Sequence, residues 1–173
     1  ADTLILNVNG QALTLIYVDG TEGWINVQNA EDTETGLVPS FIAASGGNST
    51  ATVGDFKIHT FTGPGTFTVS CAGNSAGSNT VSYMVVAGAG GGGTAGGGGG
   101  AGGYREGLGL NDSYTGSPLR APTGVPVTAT GFPIVVGGGG ATSSPGNVTG
   151  NKGSNSSFSI ITSAGGGAGR GHS

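Results

Sequence analysis

The segment of this chain closest to a recognisable chemical motif is Tyr83-Met-Val-Val-Ala-Gly88-Ala-Gly90-Gly-Gly-Gly93, a strand-like run followed by GxGxxG spacing. In a dinucleotide site those glycines open a helix whose first amides hold the pyrophosphate. Here the continuation is Thr94-Ala-Gly-Gly-Gly-Gly-Gly, and at roughly 1 kcal/mol per glycine no helix survives it. A Walker spacing is absent from the sequence, and although Gly73-Asn-Ser-Ala-Gly77 has GxSxG spacing, no serine lies in a nucleophile elbow, which needs a helix to follow it. The two histidines are His59, on an expected strand, and His172, at the C-terminal end, so a hydrolytic triad has no base in a plausible place. Glu106 and Asp112 stand close in sequence, but a glycine-rich loop is not the cleft across which glycosidase work needs two carboxylates poised. The cluster Glu31-Asp-Thr-Glu lacks the regular oxygen spacing of a calcium loop and is expected to be a solvated loop. Cys71 is the only cysteine, which excludes an intrachain disulfide and a cysteine-pair metal site. It follows Val69 and Ser70 in an alternating run, and is expected to be buried and inert. No catalytic residue, cofactor site or metal site is expected, and the chain is not read as an enzyme. Four Asn-x-Ser/Thr sequons, at Asn48, Asn111, Asn147 and Asn155, are what chance gives in so Asn- and Ser-rich a chain.

Composition explains why chemistry is so sparse. Forty of the 173 residues are glycine, and Leu, Ile, Val and Phe supply 36, near the level at which a chain cannot fill its own core. Partner copies are the usual remedy, so a homo-oligomer is expected. Charged residues are 8% of the chain, against roughly 25% in typical soluble domains. Seven of the nine acids lie in the first 55 positions, which hold no Lys or Arg, whereas the remainder carries Lys57, Arg105, Arg120, Lys152 and Arg170. With no basic stripe, nucleic-acid binding is not expected. No run of 18 apolar residues occurs, so no membrane insertion is expected either. The chain begins at Ala1 rather than Met and ends in a glycine-rich tract, as a processed product or a fragment would.

Three organisational units are expected. Positions 1–28 read as a small antiparallel meander, with strand-like runs at 4–8, 13–18 and 24–27 separated by Asn9-Gly10 and Asp19-Gly20. Tyr17 and Trp24 are expected to anchor it at a domain or subunit contact. Positions 29–52 read as an acidic, polar linker with a short docked strand near 37–42. Positions 53–173 form a glycine-rich β domain continuing past the last residue, with strands at 56–61, 66–70, 81–86, 125–128, 132–136 and 157–161. Pro126 and Pro133 would confine their strands to edges or strand starts. Nowhere do apolar residues recur at helical spacing for three turns, so the fold class is all-β without substantial helix. The glycine tracts are either disordered or packed as polyproline II strands (polyglycine II), with three residues per turn and about 3.1 Å per residue; 88–103 would then span on the order of 50 Å.

Three stretches carry a resemblance. Phe61-Thr-Gly-Pro-Gly-Thr-Phe-Thr-Val, Val81-Ser-Tyr-Met-Val-Val-Ala-Gly-Ala-Gly-Gly-Gly-Gly, and Gly100-Ala-Gly-Gly-Tyr-Arg-Glu-Gly resemble, in this order, the glycine-rich domain of phage tail-fibre and related virion proteins. Pro133-Ile-Val-Val-Gly-Gly-Gly-Gly-Ala and the final glycine run continue the likeness, which covers position 55 to the end. The opening meander is similar to short β modules of marine phage and cyanophage fibre proteins. The resemblance implies a virion appendage on the particle exterior, homotrimeric, joined to other virion proteins, and contacting a host glycan or outer-membrane protein. It brings no catalytic residue. Tyr104, Arg105, Glu106, Tyr114, Arg120 and Phe132 are the large side chains between glycine tracts. Tyr104, Arg105 and Tyr114 are the expected receptor contacts, because aromatic and Arg side chains dominate binding hot spots. The alternative is that these side chains cap the glycine bundle in a purely structural head fibre, decoration protein or extracellular filament.

Overall fold

The computed structural model describes residues 14–21, 24–26, 39–94, 96–109, 112, 115–144 and 149–171. Every regular element among them is a strand: β1 (Leu15–Tyr17), β2 (Trp24–Asn26), β3 (Ile42–Ser45), β4 (Ser49–Val53), β5 (Phe56–Thr60), β6 (Gly65–Ala72), β7 (Thr80–Val81), β8 (Tyr83–Val86), β9 (Tyr104–Gly107), β10 (Val125–Pro126), β11 (Gly131–Val135), β12 (Ser156–Phe158) and β13 (Ile161–Ser163). All strand pairs are antiparallel, and the largest sheet has the order β13-β12-β11-β6-β3. The all-β reading therefore stands.

Residues 42–53, expected to fall mostly in a linker, instead hold β3, paired with β6, and β4, paired with β5. Gly54 and Asp55 form the two-residue turn between β4 and β5, with Gly54 at φ 57°, the left-handed geometry such hairpins require. In the opening segment β1 pairs with β2, Tyr17 opposite Trp24; the expected strand at 4–8 lies outside the described residues.

The core is small. Phe67 and Val69 of β6, Phe158 of β12, Val85 of β8, Val125 of β10 and Val127 are buried together, with Phe61, Tyr83, Phe132, Ile134 and Ile161 packed against them. Phe158 is the hub, its ring lying edge-on to Phe67 at 6.0 Å and Phe132 at 6.1 Å and tilted to Tyr83 at 6.5 Å. Such aromatic contacts add about 0.5–1.5 kcal/mol each beyond area burial, which matters in a core this thin.

Two expectations are corrected here. Cys71 is exposed, not buried. Ala44 faces Val69 while Ala43 faces Cys71, so Ser70 is an extra residue in β6. A bulge of this kind inverts the alternation beyond it, and Cys71 leaves the face that buries Phe67 and Val69. Pro133 sits in β11, the middle strand of the five, rather than at an edge or a strand start. The sheet accommodates it because β12 pairs only with Ile134 and Val135, which leaves that side of β11 open at Pro133.

Five strands run on into glycine tracts, and the tracts form a lattice. β8 continues as 87–93, 97–103 leads into β9, β11 continues towards 137–143, 149–155 leads into β12, and β13 continues as 164–171. Tract 87–93 lies among the other four. Ala87, Gly90 and Gly93 donate their amides to the carbonyls of Gly103, Gly100 and Gly97 (2.9, 2.9 and 2.7 Å). Gly88 and Gly91 donate to Ser154 and Asn151 (3.1 and 2.8 Å). Their own carbonyls accept from Gly166 and Gly169 (both 2.8 Å), and those of Ala89 and Gly92 accept from Gly140 and Ser143 (2.7 and 3.0 Å). Each set repeats every third residue, the period of a polyproline II helix. Each row of tract 87–93 thus has its own set of neighbours: the Ala87 row bonds 97–103, the Ala89 row 137–143, and the Gly88 row both 149–155 and 164–171.

That geometry dictates the composition. A Cβ on Gly88 would overlap the carbonyl of Gly138, and one on Gly91, Gly99 or Gly153 would overlap the carbonyl of Ala141, Gly90 or Gly88. Gly98, Gly138 and Gly167 have open space instead. Of the side chains that interrupt the tracts, Ala89, Ala101, Lys152, Ala164 and Arg170 are exposed and Ala168 is half-buried, while Ala87, next to β8, is buried.

Candidate functional site

At the lattice end of β9 the chain forms a groove of about 690 Å³, lined by Tyr83, Tyr104–Glu106, Ser117, Leu119–Ala121 and Ile160–Thr162. Three elements shape it. β9 supplies the floor, in register with β8 through Val86 opposite Tyr104 and Val85 opposite Arg105. Loop 115–121 forms one wall and is fastened to β9 twice. The Glu106 carboxylate accepts from the Ser117 amide (3.0 Å), and the Ala121 amide donates to the Glu106 carbonyl (2.8 Å). Within it Ser117-Pro118-Leu119-Arg120 is a tight turn closed by the Arg120 amide on the Ser117 carbonyl (3.0 Å), with proline at its favoured second position. The β12–β13 hairpin also lines the groove, through Ile160–Thr162, and its turn residue Ser159 has φ 52°.

Both turns push a large aliphatic side chain into solvent, Leu119 at 94% exposure and Ile160 at 89%. Tyr104 is half exposed, and Arg105 and Arg120 are exposed. The groove therefore offers an aromatic ring, two guanidinium groups and two apolar lips; its one carboxylate, Glu106, is engaged with the loop amide.

The structure brings together Tyr104 and Arg105, two of the three expected contacts, and adds Arg120, Leu119 and Ile160. Tyr114 lies outside the described residues. Tyr17 and Trp24 face each other across β1 and β2, with ring centroids 5.4 Å apart, and both are largely exposed. Phe132 belongs to the core. The turn holding Leu119 could be read from Ser-Pro-Leu-Arg. Ile160 had no such signal, because Ser157-Phe-Ser-Ile-Ile reads as one strand although it folds as a hairpin.

Other chemistry-bearing groups are structurally engaged. The His59 imidazole is hydrogen-bonded through Nδ1 to the Gly46 carbonyl (2.7 Å) and lies edge-on to Phe67. The amides of Gly88, Gly90 and Gly93, which a dinucleotide phosphate would need, are consumed by the lattice. The Cys71 thiol has its pKa lowered, first by a hydrogen bond from the Gly73 backbone and then by Ser40. Among the described residues no three His, Cys, Asp or Glu side chains cluster as a metal site, and no helix is long and apolar enough to cross a membrane.

A family model for the glycine-rich domain matches residues 60–173. The chain belongs to the glycine-rich domain family. The matched span begins at the end of β5, and the lattice and the whole groove fall inside the glycine-rich domain. No curated protein and no solved structure matches the chain.

Proposed function

We propose that this glycine-rich domain protein is a structural component of a phage virion, a tail fibre or fibre tip on the particle exterior, that assembles as a homotrimer with other virion proteins and contacts a host cell-surface receptor. The observation that carries the reading is the groove beside the lattice, where Tyr104, Arg105 and Arg120 stand exposed on loops and strand ends fastened to a hydrogen-bonded frame. Recognition on loops held by a rigid scaffold is the common arrangement of binding proteins. The resemblance of the glycine-rich sequence to fibre proteins supplies the virion context.

A second reading, a head fibre, decoration protein or extracellular filament without receptor contact, is favoured by a different surface. The β4–β5 hairpin leaves Val53, Phe56 and Ile58 exposed on one face, with Val53 opposite Phe56 and Ala51 opposite Ile58, as a subunit contact would require. Cryo-electron microscopy of the native particle, combined with adsorption of the purified chain to host cells, decides between them. A trimeric appendage whose groove faces outward, with saturable adsorption weakened by Tyr104→Ala, is expected. A groove covered by neighbouring subunits and a chain that does not adsorb would replace the receptor reading with the structural one.

A further inference from the structure

We infer that the groove between β9, the 115–121 loop and the β12–β13 turn binds a saccharide bearing a carboxylate, with Arg105 and Arg120 as its anion contacts and Tyr104, Leu119 and Ile160 as its apolar contacts. The inference rests on the receptor reading and names the chemistry of the receptor.

Charge is the first argument. The chain has only three arginines, and two of them line this groove. Neither guanidinium has a hydrogen-bond or ion-pair partner among the described residues. Glu106, the acid nearest to them in the lining, is turned to the Ser117 amide, so the groove presents excess positive charge in a protein of net charge −4. A guanidinium is a planar fork that matches a carboxylate through two parallel N–H donors.

Shape and apolar lining are the second. A volume of about 690 Å³ suits a ligand of a few sugar rings, whereas a stable protein partner needs roughly 800 Å² of surface on each side. A pyranose has apolar C–H faces and a polar rim, and a half-exposed tyrosine with two aliphatic side chains in the same groove offers the complementary surface. The third argument is backbone strain at the lip: Ser159 occupies left-handed φ next to the exposed Ile160. Non-glycine residues are held there at a cost, and such sites concentrate at ligand clamps.

The test is interferometry of the whole chain against polygalacturonate, alginate and polysialic acid, with methyl-esterified polygalacturonate, dextran and dextran sulfate as controls. Binding to at least one carboxylated polymer is expected, lost when the carboxylates are esterified. Arg105→Gln and Arg120→Gln should each weaken it by about tenfold or more, as loss of a charge-assisted hydrogen bond does. Lys152→Gln, the same loss of charge at an exposed lattice position, should change it less than about twofold. Failure of all three carboxylated polymers to bind, equal binding of dextran sulfate, or equal sensitivity to Lys152→Gln would overturn the inference. Cell adsorption separates the two readings: adsorption that survives both arginine substitutions and excess polyuronate removes the saccharide alone, whereas a wild-type chain that adsorbs to no host cell removes the receptor reading.

Discussion

A single methyl group separates two kinds of glycine in this chain. Gly88→Ala would drive a Cβ into the Gly138 carbonyl, whereas Gly98→Ala meets open space. The first should cost about 1–3 kcal/mol, as overpacking does, and the second should stay within about 0.5 kcal/mol; urea unfolding of the two variants measures the difference. Equal midpoints would mean that the lattice contacts are not formed in solution. Cys71 gives a second check at this scale. Exposed, and with its pKa lowered by the Gly73 amide and Ser40, it populates the thiolate at lower pH than an ordinary thiol, and the thiolate is the reactive form. Maleimide labelling of the folded chain should therefore be complete and should outpace a model thiol near neutral pH. Protection against labelling would restore the buried reading and argue against the bulge at Ser70.

The elements change period rather than stopping. β8 and β9 pair residue by residue up to Val86 opposite Tyr104; from Ala87 and Gly103 onward the same two segments bond at every third residue. This continuation explains β9. Tyr-Arg-Glu-Gly has no alternating apolar pattern and reads as loop, but its register is imposed by the lattice on one side and by β8 on the other. The β12–β13 turn is the complementary case, where the local residues oppose the conformation they hold. Ser159→Gly removes the penalty of left-handed φ, on the order of 1 kcal/mol for a non-glycine residue. It should leave the melting temperature unchanged or raise it slightly, while loosening the presentation of Ile160. A clear loss of stability would show that the Ser159 side chain supports the turn.

For the molecule as a whole, order must come from backbone bonding as much as from the core, because the buried apolar cluster is small. Amide exchange should then be slow at Gly88, Gly90, Gly91, Gly100 and Gly103, which donate within the lattice, and fast at Gly98, which is exposed and outside that bonding. Uniformly fast exchange across 88–103 would contradict an ordered lattice. The exposed apolar surface of β4–β5 and the exposed Tyr17–Trp24 pair are where an assembled particle should show burial. Sedimentation of the purified chain should give a trimer under the proposed assembly.

What the sequence determined by itself is the all-β character, most strand positions, and the need for close backbone packing. Alternating apolar runs, proline, Asx-Gly turns and forty glycines leave no other economy of folding. Polyproline II packing could be named as the ordered option because its three-residue period is a property of the backbone alone. Tertiary structure decided the rest. One extra residue at Ser70 turned Cys71 outward, an incomplete β11–β12 ladder made room for Pro133 in mid-sheet, and lattice register created β9. The groove was half legible: Tyr104 and Arg105 stood out as large side chains among glycines, whereas Arg120, Leu119 and Ile160 joined them only through folding. They come from segments 15 to 56 positions away from Tyr104, and no local pattern encodes a juxtaposition that depends on how five glycine tracts pack side by side.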